Sequence, residues 1–246
     1  MNEEANRNYR MSHQSDQIAT EYDHGFRDPG SATGSLWHLE QPLLHDFLST
    51  NQAQIKRSLD FACGTGRILQ LVENYVDDCT GVDISPNMLK IAKTVCKKAV
   101  LIEGDVTNDK DLAQGPFDLV TAFRFFLQAE EPLRFEVLQW IRSVISDEGY
   151  FVANFHLNPR SIRGLYRRAY ARVKGKKLRS MTVPYVESML HDYGFEVEEL
   201  TGYSHMFYRS GPGGNARIRN KVDEFITKQK LFPRLGSSFL IVARPR

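Results

Sequence analysis

The strongest constraint on the fold is a glycine-rich turn between a short apolar strand and a helix. The strand runs from Ser58 to Ala62, the turn reads Ala62-Cys63-Gly64-Thr65-Gly66, and the helix after it contains Ile68 and Leu69. Small residues at positions 62, 64 and 66 allow the backbone to turn sharply and to approach a ligand without a Cβ clash. This order predicts the first strand of an α/β sheet, with a ligand at its carboxyl end.

Two carboxylates follow at the ends of the next predicted strands. The second strand, residues 80–84, contains Asp83, and the third, residues 99–103, leads into Gly104-Asp105. A carboxylate at the position of Asp83 can accept hydrogen bonds from both hydroxyls of a ribose. Asp105 offers an acceptor for an adenine amino group, beside the Val106 amide. The alternatives are an ordinary tight turn, a helix cap at Asp83 and an Asx-type turn at Asp105.

Strand and helix patterns alternate along most of the chain. Further strands are predicted at the four ranges 117–123, 150–155, 195–203 and 237–243. With 246 residues and 41% hydrophobic content, the chain is expected to form one large α/β domain with a mainly parallel, doubly wound sheet. We expect residues 1–45 to form an N-terminal lid over a domain of residues 46–246, with helical insertions at 158–181 and 204–235.

Composition narrows the class of protein. The sequence has no run of eighteen apolar residues, and its first residues lack the apolar stretch of a secretory signal. Its three cysteines form no C-x-x-C pair, so they are expected to be reduced thiols. These features predict a cytoplasmic protein without a membrane span, and no metal site is predicted.

Four segments in this order resemble the class I S-adenosylmethionine-dependent methyltransferases. They are Asp60–Gly66, Gly81–Leu89, Glu103–Val106 and Phe117–Val120. The resemblance covers residues 45–200 and the last strand, and it is closest to the small-molecule branch that includes quinone-ring methyltransferases. It implies a Rossmann-like sheet of seven strands, with an antiparallel last strand inserted beside the sixth.

The resemblance also implies where the cofactor, S-adenosylmethionine, is held. Asp60 and the glycine turn would hold its methionine portion, Asp83 its ribose, and Asp105 the adenine amino group. The full predicted set is Asp60, Ala62, Cys63, Gly64, Thr65, Gly66, Asp83, Ile84, Met88, Asp105, Val106 and Phe123. A nicotinamide-dependent dehydrogenase is disfavoured because Leu69 stands at the third glycine position of G-x-G-x-x-G.

The acceptor side carries a weaker signal. Many relatives have a pair of histidines after the fourth strand, where this chain has Leu127-Gln128. Three residues are candidates for catalytic work there: His156 after the fifth strand, Arg124 after the fourth, and Tyr22 in the lid. Each has a simpler alternative: a turn histidine, an arginine paired with a lid acid, and a surface anchor. Arg124 also disfavours a magnesium-dependent type, which needs carboxylates near that place.

A basic insertion is the second informative feature. The formal net charge is only +2, yet residues 160–179 contain nine Lys or Arg and no acid. A stripe of Ile162, Tyr166, Ala169 and Val173 is expected to pack inward, leaving the cations outside. This favours a small or carrier-linked anionic acceptor. We expect methylation at oxygen, with carbon and nitrogen left open. The alternatives are a solvated helix face, an RNA-modifying methyltransferase and a non-catalytic partner protein.

Overall fold

The structure is a computed structural model that describes residues 9–11, 15–175, 178–205 and 214–246. Within these residues the chain forms seven strands. They are β1 (Arg57–Phe61), β2 (Asp78–Asp83), β3 (Val100–Glu103), β4 (Phe117–Ala122), β5 (Ile145–His156), β6 (Phe195–Tyr203) and β7 (Ser238–Pro245). Eight α-helices accompany these strands in the described residues. They are α1 (Asp16–Arg27), α2 (Ala32–Asn51), α3 (Arg67–Val72), α4 (Pro86–Val95), α5 (Glu131–Val144), α6 (Ile162–Lys174), α7 (Val183–Asp192) and α8 (Gly214–Lys228).

All seven strands join one sheet in the order β3-β2-β1-β4-β5-β7-β6. Strands β1 to β5 pair in parallel, and β7 lies antiparallel between β5 and β6. The predicted fold class and the inserted last strand are therefore confirmed. The strand order reverses between β1 and β4, so the connections after these two strands diverge and leave a crevice at their carboxyl ends.

The helices begin where the sequence places capping residues. The Ser85 hydroxyl accepts a hydrogen bond from the Met88 amide, and Pro86 opens α4 as predicted. Thr182 caps α7 in the same way, accepting from the Tyr185 amide. Such caps satisfy amides that lack a partner in the first turn, so they fix where each helix leaves the sheet.

The sheet is buried on both faces. One face packs under α5 and α7 with a cluster rich in aromatic rings, among them Phe126, Phe151 and Phe155. The other face packs under α2 and α3, where Leu44, Leu48 and Leu69 are fully buried. A parallel sheet covered on both sides holds the carboxyl ends of its strands rigidly, and this is where a site can be built.

The N-terminal residues lie across the carboxyl end of the sheet. A 3-10 turn, Tyr9–Met11, contacts the sheet through the Tyr9 ring, which meets Phe125 edge-on with 5.1 Å between ring centroids. Helix α2 continues through Pro42 without ending there. Residues 1–8 and 12–14 of the predicted lid lie outside the described residues.

The basic insertion folds as a helix, α6, but the predicted inward stripe is wrong. Ile162 and Val173 are 59% and 83% exposed, whereas Gly164 and Ala171, on the opposite side, are buried. A Cβ at Gly164 would lie 2.0 Å from the Asn158 carbonyl oxygen, so this glycine lets the first turn of the helix fold close against the segment before it. Lys176 and Lys177, and residues 206–213 of the second insertion, lie outside the described residues. No helix in the described ranges combines the length and hydropathy needed to cross a bilayer.

Candidate active site

A cavity of about 390 Å³ lies at the carboxyl ends of β1, β2, β3 and β4. Among the described residues it is lined by ten of those predicted from the sequence: Ala62, Gly64, Asp83, Ile84, Met88, Asp105, Val106, Phe123, Arg124 and Tyr22. The other five predicted residues, Asp60, Cys63, Thr65, Gly66 and His156, lie behind this lining. Phe26 and Tyr9 add side chains from the N-terminal residues.

The two glycines of the turn, Gly64 and Gly66, have different structural roles. Both have positive φ angles, 55° at Gly64 and 79° at Gly66. A Cβ at Gly64 would meet no atom within 4 Å, because this part of the backbone faces the open cavity. A Cβ at Gly66 would lie 2.7 Å from the Cys96 sulfur, so this glycine permits close packing of α3 on α4.

Asp83 is held by the backbone around it. Its Oδ2 accepts a hydrogen bond from the Gly64 amide and its Oδ1 accepts one from the Ser85 amide, both at 2.8 Å. Burial raises the pKa of Asp83, and these amides oppose the shift. Each carboxylate oxygen keeps a further acceptor position, so the pair can receive two neighbouring hydroxyls.

Asp60 lies beneath the glycine turn and is 2% exposed. Its Oδ1 accepts a hydrogen bond of 2.6 Å from the Thr121 hydroxyl, and its Oδ2 has no hydrogen bond within the described residues. Burial raises the pKa of Asp60 to about 7, against the opposing effects of the Thr121 hydrogen bond and the Arg67 charge. A buried acceptor without a donor is costly, and a ligand ammonium is the partner that such an oxygen would bind best.

Asp105 is bound by side chains of the protein itself. Its Oδ2 lies 2.7 Å from Arg10 Nε and 3.2 Å from Asn108 Nδ2, and its Oδ1 accepts from the amide and hydroxyl of Thr107. Burial alone would raise the pKa of Asp105, but the Thr107 and Arg10 hydrogen bonds outweigh it and lower the pKa. The Asx-type turn weighed from the sequence is thus present. These four donors occupy the acceptor positions of the carboxylate in this conformation.

The opposite end of the cavity is built around Glu40, a buried acid that sequence reasoning missed. Its Oε1 accepts hydrogen bonds from the Tyr203 hydroxyl at 2.6 Å and from Asn154 Nδ2 at 3.1 Å. Two guanidinium groups lie slightly farther away, with Arg124 Nη2 at 3.7 Å from Oε1 and Arg67 Nη1 at 3.6 Å from Oε2. One buried carboxylate therefore faces two cations whose side chains are only 13% and 18% exposed.

The two arginines are held in place by other contacts. The Arg67 guanidinium is sandwiched between the rings of Phe26 and Trp37, at 4.2 and 4.1 Å from their centroids. Arg124 adopts a positive φ of 64°, and its amide donates to Asn154 Oδ1 at 2.7 Å. Yet Arg67 Nη1, Arg124 Nε and Arg124 Nη2 have no hydrogen bond within the described residues. Such donors favour an anion, since hydrogen bonds to charged partners are the strongest available.

His156 and Tyr22, the other two candidates, differ in access. His156 is buried behind the lining, with Nδ1 at 2.9 Å from the Ser238 hydroxyl and Nε2 at 3.9 Å from Glu40 Oε1. Burial lowers the pKa of His156 well below its usual value, and the charges of Arg124 and Arg67 lower it further. Tyr22 lines the cavity, and burial raises its pKa despite the two arginines. The histidine is neutral and the tyrosine protonated at pH 7.

Comparison with known proteins decides the family. A family model described as a methyltransferase domain matches residues 38–200, more than half of the chain. The chain belongs to the methyltransferase family. The predicted class, which uses S-adenosylmethionine as methyl donor, is thereby confirmed.

Curated relatives of this methyltransferase match over shorter stretches. It is 45% identical over 71 residues to a demethylmenaquinone methyltransferase of Leptospira interrogans, which is 26% of this chain and 28% of the relative. It is 32% identical over 97 residues to a ribosomal protein L11 methyltransferase of Ralstonia nicotianae, which is 39% of this chain and 32% of the relative. The matches thus span about a third of the length of these relatives.

Among solved structures, the magnesium protoporphyrin IX methyltransferase of Synechocystis PCC 6803 with bound S-adenosylhomocysteine (SAH) is similar. The TM-score is 0.61 at 14% sequence identity, and the alignment covers 92% of this chain and 94% of that one. At this identity the likeness concerns the fold.

The cavity of this methyltransferase fits S-adenosylmethionine on three observations. Gly64 presents backbone without a side chain to open space, the Asp60 Oδ2 accepts no hydrogen bond from any described residue, and Asp83 places two oxygens beside the turn. Apolar side chains of Ile84, Met88, Val106, Leu133 and Val137 line the remaining wall, as a purine ring requires.

The residues that sequence reasoning missed left a partial signal. Glu40 stands at i+4 spacing between Leu36 and Leu44, so a carboxylate interrupts an apolar helical stripe. A charge in that position indicates burial with a partner. Its partner could not be chosen from sequence, because Arg67, Arg124 and Tyr203 come from three separate elements.

Proposed function

We propose that this methyltransferase transfers the methyl group of S-adenosylmethionine to an ionised oxygen of a small or carrier-linked anionic acceptor. The observation that carries the proposal is Arg124, which lines the cavity and has two buried side-chain nitrogens that form no hydrogen bond within the described residues. The described lining also contains no His, Lys or Glu that could remove a proton. A carboxylate or an acidic phenolate is already ionised at neutral pH, so it needs no general base.

On the cofactor side, we assign the residues by their positions around the cavity. Asp60 and the turn of Ala62, Cys63, Gly64, Thr65 and Gly66 would hold the methionine portion, with the Asp60 Oδ2 accepting from the ammonium. Asp83 would bind both ribose hydroxyls, while Ile84, Met88, Val106 and Phe123 would enclose the adenine. Asp105 would reach the adenine amino group only when Arg10 releases one of its oxygens.

On the acceptor side, Arg124 would bind and orient the anion. The Tyr22 hydroxyl stays protonated, so it acts as a hydrogen-bond donor to the acceptor rather than as a base. His156 lies behind the lining, so we place it as a positioning residue beside Glu40. When bound, S-adenosylmethionine supplies a methyl group activated by its sulfonium charge. Alignment of the acceptor contributes on the order of 7–11 kcal/mol to lowering the barrier.

We further propose that residues 1–45 act as a lid on the domain of residues 46–246. Arg10 and Tyr22 line the cavity from the lid side, and Arg179 lines it from the end of the basic insertion. The positive charges of Arg10 and Arg179 add to the electrostatic potential that attracts an anionic acceptor. The insertions at 158–181 and 204–235 would flank the entrance.

Paired acceptors test this proposal. Calorimetry with SAH first establishes binding of the cofactor product, and its absence would remove the enzymatic function. Turnover is then compared between carboxylic or phenolic acids and the amides or methyl ethers of the same skeleton. We expect turnover of the ionised oxygen acceptors only. Preferential methylation of amines, with no turnover of the acids, would refute oxygen as the acceptor atom.

A further inference from the structure

Helix α6 packs on the protein through its smallest residues. Gly164 and Ala171 are the buried residues of the helix, and they lie nearly opposite its large apolar side chains on a helical wheel. Ser161 caps the helix by accepting from the Gly164 amide at 2.9 Å, and Gly175 ends it in the left-handed conformation. The helix is thus well formed at both ends, and its large side chains face away from the domain.

The outward side is apolar and flanked by cations. Ile162, Leu165, Tyr170 and Val173 are 59%, 55%, 50% and 83% exposed, and at 100° per residue they share one face. The cations stand on both flanks of this face and are Arg163, Arg167 and Lys174 on one side and Arg168 and Arg172 on the other. The helix contains no acid. A solvated helix shows the reverse order, with charges at the centre of its exposed side.

A second group of exposed apolar side chains lies near the start of the helix. The Asn158 side chain donates to the carbonyl oxygens of Arg234 and Gly236 at 2.9 and 3.0 Å, which fixes the turn Pro233–Leu235 beside the start of α6. Phe232 and Leu235 of this region are 63% and 50% exposed. Exposed apolar patches of this kind mark surfaces that meet a partner or a membrane.

The helix follows β5, an inner strand of the sheet that holds the cavity. It begins six residues after the carboxyl end of β5, at His156, and the chain beyond it brings Arg179 to the cavity wall. The Arg179 guanidinium donates to the Gln128 carbonyl oxygen at 2.7 Å, which ties this connection to the site. Any external surface on which α6 docks would therefore lie close to the cavity.

We propose that α6 is an interfacial helix by which the protein docks on a bilayer containing anionic lipids. An apolar face flanked by Arg and Lys lies in the plane of a membrane, with the face in the acyl boundary and the cations at the headgroups. Each cation near an anionic surface strengthens binding by roughly fivefold. RNA would be attracted by the same cations, but it gives no reason for aliphatic side chains at the centre of the face. This inference does not depend on the identity of the acceptor.

Vesicle flotation with the full chain tests the proposal. The vesicles are made of phosphatidylcholine with phosphatidylglycerol, or of phosphatidylcholine alone. One variant removes the apolar face (Ile162→Ser, Leu165→Ser and Val173→Ser), and a second reverses two flanking charges (Arg168→Glu and Arg172→Glu). The matched control reverses two exposed charges elsewhere (Lys93→Glu and Lys98→Glu). Circular dichroism and the affinity for SAH establish that each variant is folded.

We expect the wild-type chain to float with the anionic vesicles and to bind neutral ones more weakly. Both α6 variants should lose on the order of tenfold or more in partitioning, while the control stays within about twofold. Three results would overturn the proposal: wild-type protein that does not bind anionic vesicles, apolar substitutions that leave binding unchanged, or α6-dependent binding of RNA without vesicle binding. A dimer that the apolar substitutions dissociate, again without vesicle binding, would instead assign the face to self-association.

Discussion

The two ends of the cavity are built in different ways. At the donor end, the Asp83 carboxylate is held at 2.8 Å by amides of the glycine turn and of its own strand end. At the acceptor end, Glu40 of α2 is held by Asn154 and Tyr203, which are 114 and 163 residues away. The donor end is thus fixed by local backbone geometry, and the acceptor end by side chains that only the complete fold brings together. A change in side-chain packing that disrupts the contacts of Glu40 should therefore leave the Asp83 end of the cavity intact.

Removing Glu40 should show this difference most strongly. Glu40→Ala leaves the Arg67 and Arg124 guanidinium groups buried without their carboxylate, and breaking a buried ion pair in this way costs about 3–5 kcal/mol. We expect a lower denaturant midpoint in equilibrium unfolding. Glu148→Ala, at a side chain that is 97% exposed, serves as the control and should leave the midpoint unchanged. An unchanged midpoint for Glu40→Ala would mean that the cluster does not stabilise the fold.

Asp83→Ala should instead act on the ligand. If Asp83 binds the ribose as proposed, two hydrogen bonds from hydroxyls to a charged group are lost, each contributing about 1.5–3 kcal/mol, so the dissociation constant for SAH should rise by at least about a hundredfold. Titration calorimetry measures this change, with Asp77→Ala as a fully exposed control. If the affinity of Asp83→Ala equals that of the wild type, the ribose lies elsewhere.

Arg124→Gln should distinguish binding of the acceptor from binding of the cofactor. Loss of the guanidinium should raise the acceptor KM on the order of tenfold to a hundredfold, because hydrogen bonds to a charged group are lost. The SAH dissociation constant should change by less than about twofold, and Lys98→Gln should alter neither quantity. The opposite result, weaker SAH binding at constant KM, would place Arg124 on the carboxylate of the cofactor.

The smallest expected effect is a pH dependence of cofactor binding. The pKa of Asp60 is raised to about 7, and an ammonium needs the ionised carboxylate. The SAH affinity should therefore fall as pH drops below about 7, by at most tenfold per pH unit, and Asp60→Asn should bind more weakly without this dependence. The stability of the ligand-free protein should depend on pH in the opposite direction. A carboxyl with a raised pKa stabilises the fold at low pH, and this contribution is lost as pH rises from about 4 to about 7.

The sequence predicted what depends on local pattern. The mainly parallel sheet, the glycine turn, the Ser85 cap and the position of Asp83 follow from small residues, capping chemistry and alternation within a few residues. The inserted antiparallel last strand was implied only by the family resemblance. Around the Glu40 carboxylate, Arg124 and His156 were named from the sequence, but Glu40, Arg67 and Tyr203 were not, because these residues are far apart in the chain. The orientation of α6 escaped prediction for another reason. Periodicity identifies an apolar face but not the side on which the domain lies, and here the buried side of the helix contains Gly164 and Ala171.

The stacking of Trp37 on Arg67 gives the active site its own optical probe. The chain has two tryptophans, and the other, Trp140, is 3% exposed in the core, with its indole N–H donating to the Lys110 carbonyl oxygen. Because Arg67 also stacks on Phe26 of the cavity lining, we expect the emission of Trp37 to change when a charged ligand binds. Intrinsic fluorescence can therefore follow ligand binding in stopped flow without any label. The Trp37→Phe variant is the control in which this fluorescence change should be absent.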